Sequence, residues 1–153
     1  MDHEIPEGRR GQDGAMATSL LTAVDAALAV GDVTAAVRAW NEAYGVAIGS
    51  RRWESFAEAG DAYLRIARAS GSPAAGISRA RDLYLSALFR ASGAGSLEGV
   101  LRVALAFVEL GDDEVVTHSL RIARRLAEAN GASEHRERFD ALRTHQPNPA
   151  PLS

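Results

Sequence analysis

The chain has 153 residues, 46% of them hydrophobic and 24% charged, and carries a net charge of −3, the composition of one ordinary globular domain. All 17 basic residues are arginine, and there is no lysine and no cysteine. Disulfides, thiolate nucleophiles, cysteine-type zinc sites, Schiff-base chemistry and a phosphate-cradling lysine are thereby excluded, and the charge gives no bulk attraction for nucleic acid or anionic membranes.

In chain order, residues 1–15 are polar, with Pro6 and three glycines, and read as a disordered extension. Arg9-Arg10 ahead of the apolar stretch Ala15 to Val30 superficially suits a secretory signal. Asp25 inside that stretch and Gly11-Gln12-Asp13 after the arginine pair argue against it. No run reaches the ~18–20 apolar residues of a membrane span, so a cytoplasmic protein is expected. Glycine or serine punctuation at Gly31-Asp32, Gly49-Ser50, Ser72-Pro73, Gly95-Ser96, Gly111-Asp112 and Ala132-Ser133 supplies helix stops and N-caps. Seven helices are predicted, at about 17–30, 33–48, 51–70, 73–91, 97–110, 113–130 and 134–145. Residues 146–153, with three prolines, read as a disordered tail. Apolar stripes at helical period support the helices: Val33, Ala36, Val37, Trp40, Ala43 and Ala47; Trp53, Phe56, Ala57, Gly60, Tyr63, Leu64 and Ala67; Ile77, Ala80, Leu83, Tyr84, Ala87 and Leu88.

The helices repeat as hairpins. Residues 17–50 place Leu20, Val24 and Ala27 on a first helix, then Ala36, Trp40 and Ala43 on a second. Residues 53–92 place Phe56, Gly60 and Tyr63, then Ala80, Tyr84 and Ala87. Residues 97–130 place Val100, Ala104 and Phe107, then Val116, Leu120 and Ala123. The step between helices is nine residues in the first and third hairpins and seventeen in the second. The middle hairpin therefore holds an eight-residue insertion, expected to lengthen the third helix by about two turns.

This pattern resembles the tetratricopeptide repeat over about 115 residues. The resemblance implies an all-α, right-handed superhelix of three helical hairpins, occupying residues 16–145 and closed by a charged C-terminal capping helix. An irregular helical bundle is the alternative. Ala27 and Val116 depart from the family pattern, as does the missing proline after each second helix. One hairpin cannot bury its apolar face alone, so about three are needed.

In that family the first helices line a concave groove. The positions carried over are Leu21, Asp25, Leu28, Ala57, Asp61, Leu64, Arg65, Glu98, Leu101, Arg102, Leu105 and Val108. The resemblance implies a non-catalytic adaptor holding a partner's helix or extended peptide there. Relatives that clamp acidic C-termini use Lys, Asn and Arg, of which only Arg102 has a counterpart, so that ligand is rejected. The fifth helix is apolar nearly all round, and such a helix is buried all round. Leu101, Leu105 and Val108 therefore need cover, from elsewhere in the chain, from a second copy in a homodimer, or from a partner.

No catalytic, cofactor or metal constellation stands out. His3, His118, His135 and His145 are not spaced as metal pairs. Gly93, Gly95 and Gly99 lack the strand that a nucleotide loop needs. Asp112-Asp113-Glu114 suits a helix start. From residue 65 onward arginines outnumber acids by 12 to 10, a surplus that favours solvated helix faces and leaves a regulatory module contacting nucleic acid through this half as an alternative reading.

Overall fold

A glycine able to take positive φ, followed by an acid or serine whose side chain caps the next helix, sets most of the boundaries. Asp32 accepts from the Ala35 N–H at 2.9 Å, Ser96 from Gly99 at 3.0 Å and Asp112 from Val115 at 3.3 Å. Gly31, Gly71, Gly95 and Gly111 each end a helix at positive φ. The computed structural model describes residues 7–130 and 142–143. Among them are six helices and no strand: α1 (Glu7–Ala29), α2 (Val33–Ser50), α3 (Trp53–Ala69), α4 (Pro73–Gly93), α5 (Leu97–Leu110) and α6 (Asp113–Asn130). The expected tail at 146–153 lies outside the described residues. So does the expected seventh helix, except for Leu142 and Arg143, which are helical with Leu142 fully buried.

The chain divides into two compact units, residues 1–90 and 91–153. In the first, α1 packs on α2, α2 on α3, and α1 also on α3. In the second, α5 packs on α6. The repeat positions read from sequence form the cores of both. All are buried except Leu20, Ala27 and Tyr63, which are half-buried.

Three expectations about boundaries are corrected. First, α1 begins at Glu7, so residues 7–15, expected to be a disordered extension, are helical. Three glycines weaken the helix there by about 1 kcal/mol each. Packing offsets this: Gly11, Gly14, Ala15, Ala17 and Thr18 line a recess with Arg52, Glu54, Ser55 and Glu58 from the start of α3, and Ala17 is buried.

Second, α2 does not stop at Gly49-Ser50. It runs through both and ends at Arg51, whose φ of 57° makes it the only non-glycine residue with positive φ among the described residues. The Ser50 hydroxyl donates to the Ala47 carbonyl at 3.0 Å, helping to close this end. A side chain in this conformation costs about 1–2 kcal/mol. Arg51→Gly is therefore expected to raise stability by about 1 kcal/mol, or about 2–4 °C in a thermal melt at this chain length. An unchanged or lower melting temperature would show that Arg51 earns its place by contacts that outweigh the strain.

Third, the eight-residue insertion does not lengthen α3 alone. Ala27 lies two residues from the end of α1, whereas Tyr63 lies six from the end of α3; Ala36 lies three residues into α2, whereas Ala80 lies seven into α4. Both hairpins keep three-residue connections, at 30–32 and 70–72. The insertion thus adds four residues, about one turn, to each arm. Equal extension keeps the arms paired, whereas two turns on one arm would leave it projecting without a neighbour.

The lengthened hairpin is locked by close approach. A methyl group built on Gly76 would stand 2.1 Å from the Ala67 Cβ, and one on Gly60 would stand 2.7 Å from the Tyr84 ring. From Gly76 to Tyr84 along α4 the contact moves back along α3 from Ala67 to Gly60, so the arms run antiparallel. The Tyr84 hydroxyl then donates to the Asp61 carboxylate.

Trp40 on α2 joins the helices of the first unit. Its indole N–H donates to the Ala59 carbonyl of α3 at 2.8 Å, and its ring stacks on Tyr44 and meets Tyr63 edge-on at 4.8 Å. Arg79 of α4 lies over the Tyr44 ring at 5.0 Å and the Trp40 ring at 5.7 Å, and Arg90 lies over Phe56 at 4.6 Å.

Candidate partner-binding surface

The twelve groove positions fall in both units, and each set stands on its own. In the first unit, Asp25 of α1 and Arg65 of α3 form an ion pair, with Arg65 Nε 2.8 Å from Asp25 Oδ1. Both side chains keep much of their solvent exposure, so the pair adds at most about 1 kcal/mol. Asp61 is half-buried and accepts from Tyr84. The charged groove positions of the first unit, Asp25, Asp61 and Arg65, therefore already have partners within the chain. Ala57 and Leu64 are buried core residues, and Leu21 and Leu28 are half-buried.

In the second unit, the question raised by the apolar fifth helix divides along its length. Leu101 is only 2% exposed, so the chain itself covers it. Leu105, one turn further on, is 50% exposed, and Val108 is half-buried. Glu98, Arg102 and Glu109 are exposed, and the row Glu98–Arg102–Leu105–Glu109 follows helical spacing on one face. What α5 offers is one open leucine within a charged row, with Val108 beside it. The broad apolar strip expected from sequence is not there, because Leu101 belongs to the core together with Val100, Val103, Ala104 and Phe107.

The remaining polar groups have structural explanations. Asp112 caps α6, with Asp113 and Glu114 in its first turn, where the helix dipole favours acids. Gly93 closes α4, and Gly95, at φ 67°, lies in the turn into α5. Among the described residues no group of three His, Asp or Glu side chains is placed to hold a metal ion. His118, Arg121, Arg124, Arg125 and Glu128 line a shallow depression along the exposed face of α6. No described helix is long and apolar enough to cross a membrane.

Sequence reasoning missed several exposed apolar side chains, Met16 and Val30 among them. Phe89 on α4 is 81% exposed, and Ile48 on α2 is also open to solvent. The signal for Phe89 was its absence from the apolar stripe of its own helix, Ile77, Ala80, Leu83, Tyr84, Ala87 and Leu88, of which Ile77 is itself exposed and the other five are buried. No protein-family model matches the chain, and no curated protein is similar to it.

Proposed function

We propose that the chain is a non-catalytic scaffold of tetratricopeptide-like hairpins that takes its function from a protein partner. Two features support the repeat reading: a second hairpin that begins by packing on both helices of the first, and repeat positions that fall in the cores. The observation that carries the interaction reading is the α5 face, where half-exposed Leu105 and the neighbouring Val108 sit among Glu98, Arg102 and Glu109. A partner helix or peptide with one apolar anchor and flanking charges of both signs would match it, the apolar contact supplying affinity and the charges orientation.

The test cannot use Leu101. An aspartate at that buried position would unfold the second unit rather than probe its surface. Leu105→Asp changes a side chain that is already half in water. A tagged wild-type chain purified from its own cells is expected to bring a partner in near-stoichiometric amount. Leu105→Asp should reduce that recovery at least tenfold while its circular dichroism stays unchanged. Equal recovery with a correctly folded variant would move the interaction off α5.

A further inference from the structure

We propose that α6 carries a docking face for an acidic segment of a partner protein, one whose central carboxylates are flanked by basic residues. Glu114, His118, Arg121, Arg125 and Glu128 recur at spacings of four, three, four and three, which sets them in one stripe along the helix. All five are exposed, while Val116, Leu120 and Ala123 on the other side of α6 are core. Arg124 flanks the stripe and joins His118, Arg121, Arg125 and Glu128 around the shallow depression.

A solvated helix face gains support when residues three or four apart carry opposite charges. This stripe gathers like charges instead. Arg121 stands three residues from Arg124 and four from Arg125, spacings at which like charges repel. Glu128 follows Arg124 by four and Arg125 by three, yet pairs with neither. Elsewhere the chain engages its arginines internally: Arg52 and Arg65 hold acids, and Arg79 and Arg90 lie over rings. Arg121, Arg124 and Arg125 make no hydrogen bond, ion pair or ring contact with any described residue. Three guanidinium groups thus stand within about 6 Å along the axis, and carboxylates from outside would relieve their repulsion.

The order of charge along the stripe selects the anion. The stretch from His118 to Arg125 spans about 10 Å, and Glu114 and Glu128 close it at either end, about 21 Å apart. A nucleic-acid backbone or an anionic membrane carries its negative charge past both ends and meets both glutamates. A small anion gains no enclosure, because every lining residue is exposed and on one helix, whereas small-molecule sites bury most of their ligand. A protein segment answers both conditions, with carboxylates for the arginines and a basic residue on either side for Glu114 and Glu128. Exposed ion pairs are individually weak and screened by salt, so the association is weak and salt-sensitive. The face lies on the second helix of its hairpin, outside the twelve groove positions, and stands or falls separately from Leu105 and α5.

The probe is the peptide KAAEAAAEAAEAAAK, which sets three glutamates between two lysines at the spacings of the stripe. The control is EAAKAAAEAAKAAAE, of the same composition with its charges alternated. Amide shifts of the isotopically labelled full chain are followed at 20 mM NaCl. The first peptide is expected to shift residues of α6 between 114 and 128, with a dissociation constant on the order of 1 mM that weakens at least fivefold at 200 mM NaCl. Arg121→Glu with Arg125→Glu should weaken it at least tenfold. Arg38→Glu with Arg68→Glu, an equal change of charge at two other exposed arginines, and Leu105→Asp should each change it less than twofold. Circular dichroism establishes that each variant is folded. No shift at 5 mM peptide overturns the proposal. So does equal binding of the control peptide, or undiminished binding by the folded Arg121→Glu, Arg125→Glu variant. Tighter binding of inorganic phosphate, a twelve-base-pair duplex or phosphatidylserine vesicles through the same arginines overturns it in favour of a phosphate ligand. A concentration-dependent dimer that this double variant abolishes overturns it in favour of a second copy.

Discussion

Trp40→Ala is expected to lower stability by about 3–5 kcal/mol, the usual range for removing a buried aromatic. That is a large fraction of the ~5–15 kcal/mol by which a domain of this kind is stable. The loss has three sources: the buried ring surface, the indole hydrogen bond to Ala59, and the platform on which Tyr44, Tyr63 and Arg79 meet. Trp40→Phe separates them. It keeps most of the ring and loses the N–H, so its cost should be smaller, with about 1 kcal/mol from the hydrogen bond. Denaturant melts followed by far-ultraviolet circular dichroism measure both. Arg79→Ala should also cost less in the Trp40→Ala background than in the wild type, because part of the cation–π contact has already gone. Equal costs for Trp40→Phe and Trp40→Ala would mean that the hydrogen bond, and not ring packing, holds α2 to α3.

The contrast between what was legible in the sequence and what was not has physical causes. The starts of α2, α5 and α6 were legible because capping is local: Asp32, Ser96 and Asp112 each sit just before the helix whose N–H they accept. The start of α1 was not, because its glycine-containing first turns are held by contact with residues of α3 some forty positions away. The end of α2 was misplaced because Gly49 is an ordinary helical residue, while the left-handed turn falls to Arg51, a residue that rarely takes it. The insertion could be counted from spacing, but its division between two arms depends on pairing across the hairpin.

The candidate surface shows the same limit. Leu101 and Leu105 are one turn apart and look alike in the sequence. Tertiary cover alone makes one a core residue and leaves the other half in water. The Asp25–Arg65 pair closes across forty residues, so two groups carried over as separate groove positions prove to be each other's partners.

Gly76→Ala is expected to destabilise the protein although it replaces glycine within a helix. In an unhindered helix that change gains up to about 1 kcal/mol. Here the new methyl would meet the Ala67 Cβ at 2.1 Å and the Ala67 Cα at 3.6 Å, where carbon atoms prefer about 3.5–4.0 Å. The obstacle is a methyl fixed to the backbone of α3, with no flexible side chain to move aside. The arms must separate, drawing the Tyr84 ring away from Gly60 and its hydroxyl from Asp61. Overpacking of this kind costs about 1–3 kcal/mol, and Gly76→Leu should exceed that range. The decisive experiment moves the methyl across the interface. Ala67→Gly alone should cost about 1 kcal/mol, but combined with Gly76→Ala it should recover much of what Gly76→Ala loses, a favourable coupling above about 1 kcal/mol. Additive costs in thermal or denaturant melts would show that close approach of the arms is not what requires glycine at 76. Recovery would show that the inserted turns are held by one methyl-sized gap, which either helix can supply.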